Sequence, residues 1–273
     1  VSAYADYAAV PAVNWTTLKE MRKSPAHYRW RVEHPLADTP RLALGRAVHT
    51  AVLEPDRFPL ECVVFDGARR AGKAWDEFAA VNAGRRNCTI LRADEYETCL
   101  AIRDAVRGNP DAAALLTSGR AEVPLTWTDK TTGLACKCRV DWVGDAHVEL
   151  KTTASTDARI FGALSARMGY HCQIAMQRMG LLACDLDIPS YLVAVEAEPP
   201  YDIGVFELDD DTLYAGEEEV YELLRRVDEC TKKDHWPGRY EGTRKLQLPA
   251  WIFAGEESEY EIMGLVPAKG RAA

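Results

Sequence analysis

The stretch HVELKTT, residues 147–153, sets Glu149 and Lys151 two positions apart among β-formers, so a strand presents both on one face. An acid beside an amine is often only an exposed ion pair. It is also the minimum that metal-assisted hydrolysis needs: a carboxylate to hold a divalent cation, and an amine to orient or deprotonate the attacking water and balance developing negative charge. The residues just upstream bear on the choice. RVDWVGDAHVELKTT reads as a hairpin. If Gly144, Asp145 and Ala146 form a three-residue turn, Val143 pairs with His147 and Asp141 falls opposite Glu149. Directly opposed residues have Cβ atoms roughly 4.5–5.5 Å apart, close enough for two carboxylates to share an ion. A two-residue turn would slip the register and send Asp141 to the other face. Facing carboxylates repel unless a cation joins them. Val140, Trp142, Val148 and Leu150 are assigned to the opposite, apolar face.

The elements that must carry these residues follow from local signals. Asn14 caps a helix beginning WTTLKEMRK; Ser24-Pro25 interrupts it, and a second stretch runs to about residue 33. Thr39 and Pro40 read as an N-cap and first helical position opening RLALGRAVHTAVLE. Leu44, Val48, Ala51 and Val52 recur there at helical spacing, so His49 rides a largely buried helix. ECVVF reads as a strand, and AGKAWDEFAAVNA and ADEYETCLAIRDAVRG as amphipathic helices, the second ending at Gly108 before Asn109-Pro110. AEVPLTWTD and LACKCRVDWV are strands joined across the KTTG turn. After HVELKTT come two helices, ARIFGALSARMG and YHCQIAMQRMGLLACDL. SYLVAVEA and YDIGVFEL then form an edge hairpin around Pro199-Pro200, and an acidic helix covers about 209–233. This order implies one α/β domain over 1–273 with a mixed central β-sheet flanked by helices: an arm at 1–13, the core at 14–253 and a loose tail at 254–273.

Composition narrows the function classes. The chain has 273 residues, 47% hydrophobic and 27% charged, ordinary for a soluble globular protein that can bury a core. No apolar run approaches the roughly 18–20 residues of a membrane span. The first residues lack the basic start and apolar core of a signal peptide, so a cytoplasmic protein with no membrane partner is expected. Eight scattered cysteines without C-x-x-C read as reduced thiols. The net charge of −9 argues against coating nucleic acid by bulk electrostatics but leaves room for a local basic channel. The charge is uneven: 206–229 is strongly acidic, and 18–46 is basic and aromatic. No G-x-x-x-x-G-K-[ST] loop is present, hence no ATP-driven motor.

Asp141, then Glu149-Leu150-Lys151 across a hairpin, resembles the core of the PD-(D/E)XK nucleases. LGRAVHTAVLEP (44–55) is similar to the buried-helix histidine motif of RecB-like and RecE-like exonucleases. GYHCQIAMQ (169–177) is similar to their Tyr-x-x-Gln helix after the catalytic strand, and WTTLKEMRKSPAHYRW (15–30) to the N-terminal Ser-Pro motif of phage and prophage RecE-type exonucleases. TGLACKCRVDWV matches the usual lead into the acidic strand. The resemblance spans about residues 14–200. It is nearest to the RecE-type (exonuclease VIII-like) group, with lambda exonuclease more distant. One departure is plain: only Cys230 lies beyond Cys184, so the iron–sulfur cluster of the CRISPR-adaptation and AddB-type relatives cannot form by their pattern.

The resemblance implies a restriction-endonuclease-like α/β core and a Mg²⁺-dependent exonuclease, with Mn²⁺ as substitute. Asp141, Glu149, the Leu150 carbonyl and His49 would be metal ligands, the imidazole favouring Mn²⁺. Lys151 would serve the attacking water, with Gln173 and Tyr170 holding the water, Lys151 or a phosphate. It further implies 5′-to-3′ degradation of linear double-stranded DNA, a homo-oligomeric ring (tetramer before trimer), and delivery of a 3′ overhang to a RecT-like single-strand annealing protein in a bacterial host carrying the phage or prophage. Arg139, Arg46, Lys23, Ser24 and Tyr28 are candidate DNA contacts, with Lys19, Arg22, Arg29, Arg31, Arg41 and Trp30 behind them.

Each assignment has a plainer counterpart. His49 on an apolar helix also suits a satisfied core histidine. Tyr170 and Gln173 also suit packing and a surface amide, and the basic residues of 18–46 a solvated face. Glu122 in AEVPL either joins the site or faces solvent. Two other functions compete: a structure-specific or single-strand nuclease of the same superfamily, and a catalytically silent DNA-end-binding scaffold.

Overall fold

Short polar side chains start the helices that surround the site. In the computed structural model, which describes residues 7, 9–67, 69–85, 87–249 and 252, Asn14 Oδ1 accepts from the Thr17 amide at 3.1 Å and begins α1 (Trp15–Leu18), continued by a 3₁₀ turn over Lys19–Arg22. Ser24 caps α2 (Pro25–Glu33) and Thr39 caps α3 (Pro40–Leu53), each with proline at the first turn, where the missing N–H has no partner to lose. A short α4 (Phe58–Glu61) leads into β1 (Cys62–Phe65), followed by α5 (Lys73–Asn82), β2 (Thr89–Arg92) and α6 (Ala93–Gly108). β1 and β2 pair in parallel as a small separate sheet. Neither β2 nor α7 (Pro110–Leu115) was expected. Four residues of TILR are too few to display a period, and in the sequence pattern Asn109, whose side chain caps α7, marks only the end of α6.

The central sheet is ordered β3 (Gly119–Thr128), β4 (Ala135–Gly144), β5 (His147–Thr153), β6 (Ser190–Glu196) and β7 (Ile203–Glu207). Neighbours are antiparallel except β5 and β6, whose parallel pairing requires the crossover made by α8 (Ala158–Met168) and α9 (Tyr170–Leu182). The α10 helix (Asp210–Lys233) packs on α9. This is the mixed α/β architecture that the sequence implies. The expected tail at 254–273 lies outside the described residues; of the expected arm, Val13 bridges Cys136 of β4. No helix of the described residues is long and apolar enough to cross a membrane.

Two layers clamp the sheet. Trp142, Val148 and Leu150 pack in the main core with Val48 and Val52 of α3 and Ile102 of α6, and full burial of such side chains contributes about 1.5–3 kcal/mol each. On the other side α9 lies close because Gly180 has no side chain: a Cβ there would stand 2.9 Å from the Trp127 ring and 3.2 Å from Cys138 Sγ. Gly169, between α8 and α9, is in the left-handed region at φ 73, and a Cβ there would meet Trp15 and Arg22. Val140 does not share the face of Trp142. It packs with Cys138, Val143 and Leu181, so the alternation along β4 is broken at Asp141, a correction to the simple two-faced strand.

Candidate active site

The hairpin register is the one that a three-residue turn dictates. Val143 pairs with His147 and Trp142 with Val148, while the Gly144 amide donates to the Ala146 carbonyl at 3.0 Å. The ladder stops there. Asp141 instead uses its side chain as the strand partner, Oδ2 accepting from the Leu150 amide at 2.9 Å. On the other flank, β3 pairs Ala121 with Trp142 and Val123 with Val140, and Glu122 between them sits at φ 54. A left-handed non-glycine residue inside a strand costs about 1–2 kcal/mol and persists only where its surroundings hold it. Here it turns the Glu122 carboxylate toward Asp141. From the α3 side, His49 Nδ1 comes within 3.5 Å of Asp141 Oδ2 and 4.0 Å of Glu122 Oε1. One ligand atom from each of His49, Glu122 and Asp141 lies within 4.8 Å of the other two.

Glu149 stands beside this triangle, gripped by α9. Its Oε1 takes Lys151 Nζ and Gln173 Nε2, and its Oε2 takes Gln177 Nε2 at 2.8 Å. Gln173 Oε1 in turn lies 3.3 Å from Lys151 Nζ, which also sits 5.1 Å from the centroid of the Tyr170 ring. Glu149 is 1% exposed.

Burying this much charge divides the carboxylates. Burial disfavours the Asp141 anion, yet His49, Lys151 and the Leu150 amide outweigh that and hold its carboxyl at about 2. Burial, and then the Asp141 charge, push Glu122 up to about 7 against the pull of Arg139. Glu149 is raised by burial and Asp141 despite Lys151. His49 and Lys151 are desolvated too, but the surrounding anions raise both above their ordinary values. Three carboxylates, those of Glu122, Asp141 and Glu149, thus meet three basic groups, His49, Lys151 and Arg139, whose Nε stands 2.6 Å from Glu122 Oε2.

With that geometry in view, the comparisons with known proteins decide the family. The sequence profile described as "PDDEXK-like domain of unknown function (DUF3799)" matches residues 14–248. The chain belongs to this family. Among solved structures, this PDDEXK-like domain is similar to a protein from Eubacterium rectale described as a candidate exonuclease, at 15% identity and a TM-score of 0.61, covering 93% of this chain and 97% of that one. At that identity the likeness shows the fold. A second structure, SSO0001, aligns over 68% of this chain and 87% of its own at 14% identity; its TM-score of 0.27 carries no argument. No curated protein matches the sequence.

PD-(D/E)XK nucleases use divalent metals, and the donor set of this PDDEXK-like domain fits one: two carboxylates and an imidazole converge. A second grouping, His171, Cys172 and Glu219, does not fit. It already encloses a cation, because Arg22 reaches Glu219 through two nitrogens and Cys172 Sγ through one, and burial pushes that thiol up to about 12.

The site opens into a cleft of about 1900 Å³ whose lining includes Arg41, Arg46, Arg120, Arg139 and Arg167. Arg46 pairs there with Asp38 at 2.7 Å. Lys23, exposed and paired with Glu20, does not line the cleft. Ser24 and Tyr28 correct the expectation of DNA contact. Ser24 is 2% exposed and its hydroxyl is spent on capping α2 and on His27 Nδ1. Tyr28 stacks on Trp236, where burial pushes its phenol up to about 12. Trp30 is exposed but stacked on His34. Lys19, of the same segment, does not line the cleft; burial, and then Lys151, lower its amine against the pull of Glu20. The sequence pattern leaves Glu122 open and does not single out Gln177. Glu122 carries no local signal for φ > 0, and the second glutamine one turn after Gln173 was the available hint.

Proposed function

We propose that the protein is a metal-dependent exodeoxyribonuclease that shortens one strand of linear double-stranded DNA from its 5′ end and leaves 3′ single-stranded overhangs. One observation carries the hydrolytic part: His49, Glu122 and Asp141 converge in the lining of a cleft, with the Glu149–Lys151 pair beside them. Asp141, Glu149, the Leu150 carbonyl and His49 would hold Mg²⁺, or Mn²⁺ in its place, with Glu122 as an added carboxylate. Such an ion, when bound, polarises a phosphate oxygen and makes its water acidic. Lys151 holds a positive charge within reach of Glu149 and Tyr170, where it can orient the attacking water and balance charge on the phosphate. Gln173 fixes the Lys151 amine, and the cleft arginines supply phosphate contacts.

The polarity, the preference for duplex ends, the homo-oligomeric ring and the RecT-like partner in a bacterial cytoplasm rest on the RecE resemblance. The Eubacterium rectale protein, itself described as a candidate exonuclease, adds support for end-directed cleavage. The test is digestion of end-labelled linear and circular duplexes with Mg²⁺ or EDTA. Release of 5′-labelled mononucleotides from the linear form alone, abolished by EDTA, is expected. Nicking of circles would favour a structure-specific nuclease instead, and binding without cleavage a silent scaffold.

A further inference from the structure

We propose that Gln177 is a positioning residue for Glu149, and that Ser190 and His147 behind it lock which end of the Gln177 amide faces the carboxylate. The inference rests on the nuclease reading above for the role of Glu149. Its hydrogen-bond logic stands on the geometry alone. Gln177 is 2% exposed, His147 0%, Ser190 1% and Glu149 1%, so their donors and acceptors must be matched inside the protein. Gln177 Nε2 lies 2.8 Å from Glu149 Oε2 and 3.0 Å from the Arg139 carbonyl. A carboxylate and a carbonyl are acceptors only, so both contacts demand the NH₂ end of the amide.

That choice propagates. Gln177 Oε1 then faces His147 Nε2 at 3.0 Å and must accept, which puts the imidazole proton on Nε2. A neutral ring leaves Nδ1 bare, 3.1 Å from Ser190 Oγ, whose hydroxyl donates to it. The four groups form a chain of bonds with one direction: Ser190 to His147, His147 to Gln177, Gln177 to Glu149. Flipping the amide would set three oxygens, those of Gln177, Glu149 and Arg139, against one another.

The chain matters for chemistry because of what remains on Glu149. A carboxylate offers about four lone-pair sites. Lys151 and Gln173 take the two on Oε1, and Gln177 takes one on Oε2. The direction left for a cation belongs to Oε2, the oxygen that Gln177 steadies. Gln173 and Gln177, four residues apart on α9, thus hold opposite oxygens of one carboxylate. A merely packing amide would have no bearing on metal affinity, whereas partners behind a ligand typically change it by about 10–100-fold.

The experiment measures Mn²⁺ affinity by electron paramagnetic resonance of the free ion, for wild type, Gln177→Leu and His147→Phe. Melting in EDTA confirms that each variant is folded, and long-range ¹H–¹⁵N spectra of the wild-type histidines report the His147 tautomer. The expected results are a His147 ring protonated at Nε2 only, and an Mn²⁺ Kd raised about 10–100-fold in Gln177→Leu. His147→Phe keeps Gln177 but removes its donor; it should weaken Mn²⁺ by about tenfold, and serves alone if the leucine variant does not fold. Wild-type affinity in the folded variants, or a proton on Nδ1, overturns the proposal. If the variants lose Mn²⁺ and wild type cleaves no DNA, the relay stands and the nuclease reading fails. If wild type cleaves and the variants bind Mn²⁺ normally, the relay fails alone. Wild type that binds no Mn²⁺ overturns both.

Discussion

Glu122→Gln offers a direct test of whether the carboxylates converge for a cation. In the metal-free protein Glu122 is pushed up to about 7, from 4.5 in an unfolded chain, chiefly by burial and by Asp141. For an acid, a raised folded value means that the native state binds more protons than the unfolded one. Stability therefore falls as pH rises from about 4.5 to about 7, and the loss persists above that. Linkage puts the cost of ionising Glu122 at about 3 kcal/mol at pH 8 and about 1 kcal/mol at pH 5. Glutamine removes the charge but keeps an oxygen for Arg139, at a loss of about 1 kcal/mol as an ion pair becomes a neutral contact. The variant should thus be more stable than wild type by about 2 kcal/mol at pH 8 in EDTA, which for a chain of this size is about 4–8 °C in Tm. The gain should vanish near pH 5. Added Mn²⁺ should reverse the order, raising the Tm of wild type more than that of the variant. Scanning calorimetry at both pH values, with EDTA and with Mn²⁺, reads all of this. A variant that is less stable than wild type at pH 8 in EDTA, or a gain that does not change with pH, would refute the reasoning that burial beside Asp141 makes the ionised Glu122 costly.

Asp141→Asn should abolish cleavage, by more than about 10³-fold, and should also release His49 toward its ordinary titration, which histidine NMR can follow. Burial lowers His147 to about 4, although its bond to Gln177 opposes this, so the wild type should lose about 2 kcal/mol between pH 7 and pH 5 that His147→Phe does not; a parallel pH dependence in urea denaturation would contradict a neutral buried ring. Tyr28→Ala should destabilise by about 3–5 kcal/mol through the lost packing near Trp236, while Tyr28→Phe leaves DNA affinity unchanged; a large affinity loss in the phenylalanine variant would restore Tyr28 to the DNA surface. Gly169→Ala, which needs φ 73 and places a methyl against Trp15 and Arg22, should lower Tm and with it the metal affinity of a site framed by α9.

What could be read from the sequence was local. Thr39-Pro40 begins a helix and Ser24-Pro25 separates two, because a side-chain oxygen and a ring without N–H act within one turn. The period of two puts Glu149 and Lys151 on one face of their strand, but the sequence leaves a two- or three-residue turn open before it, and the structure's three-residue turn couples Val143 to His147. Ser24 and Tyr28 misled because composition near a helix reports charge and aromaticity but not which side is covered. Trp236, more than two hundred residues away, decides that for Tyr28.

The remaining misses share a cause, and it lies in the site. Alternation predicts that Val140 and Trp142 point together, yet they sit in different clusters because the strand breaks step at Asp141, where a side chain replaces a ladder bond. Glu122 adopts φ 54 without glycine or asparagine to announce it. The Glu122 conformation costs stability locally, and both departures bring a carboxylate toward its neighbour. A strand under selection for folding alone would gain by keeping its alternation and by placing one of these acids outside. The two irregularities occur at residues that would be paired across β3 and β4, and His49 arrives from a third element at the same point. A single broken rung that turns two acids toward an imidazole fits a bound cation, and it is a signal that pattern reading cannot supply, since the pattern is what the site breaks.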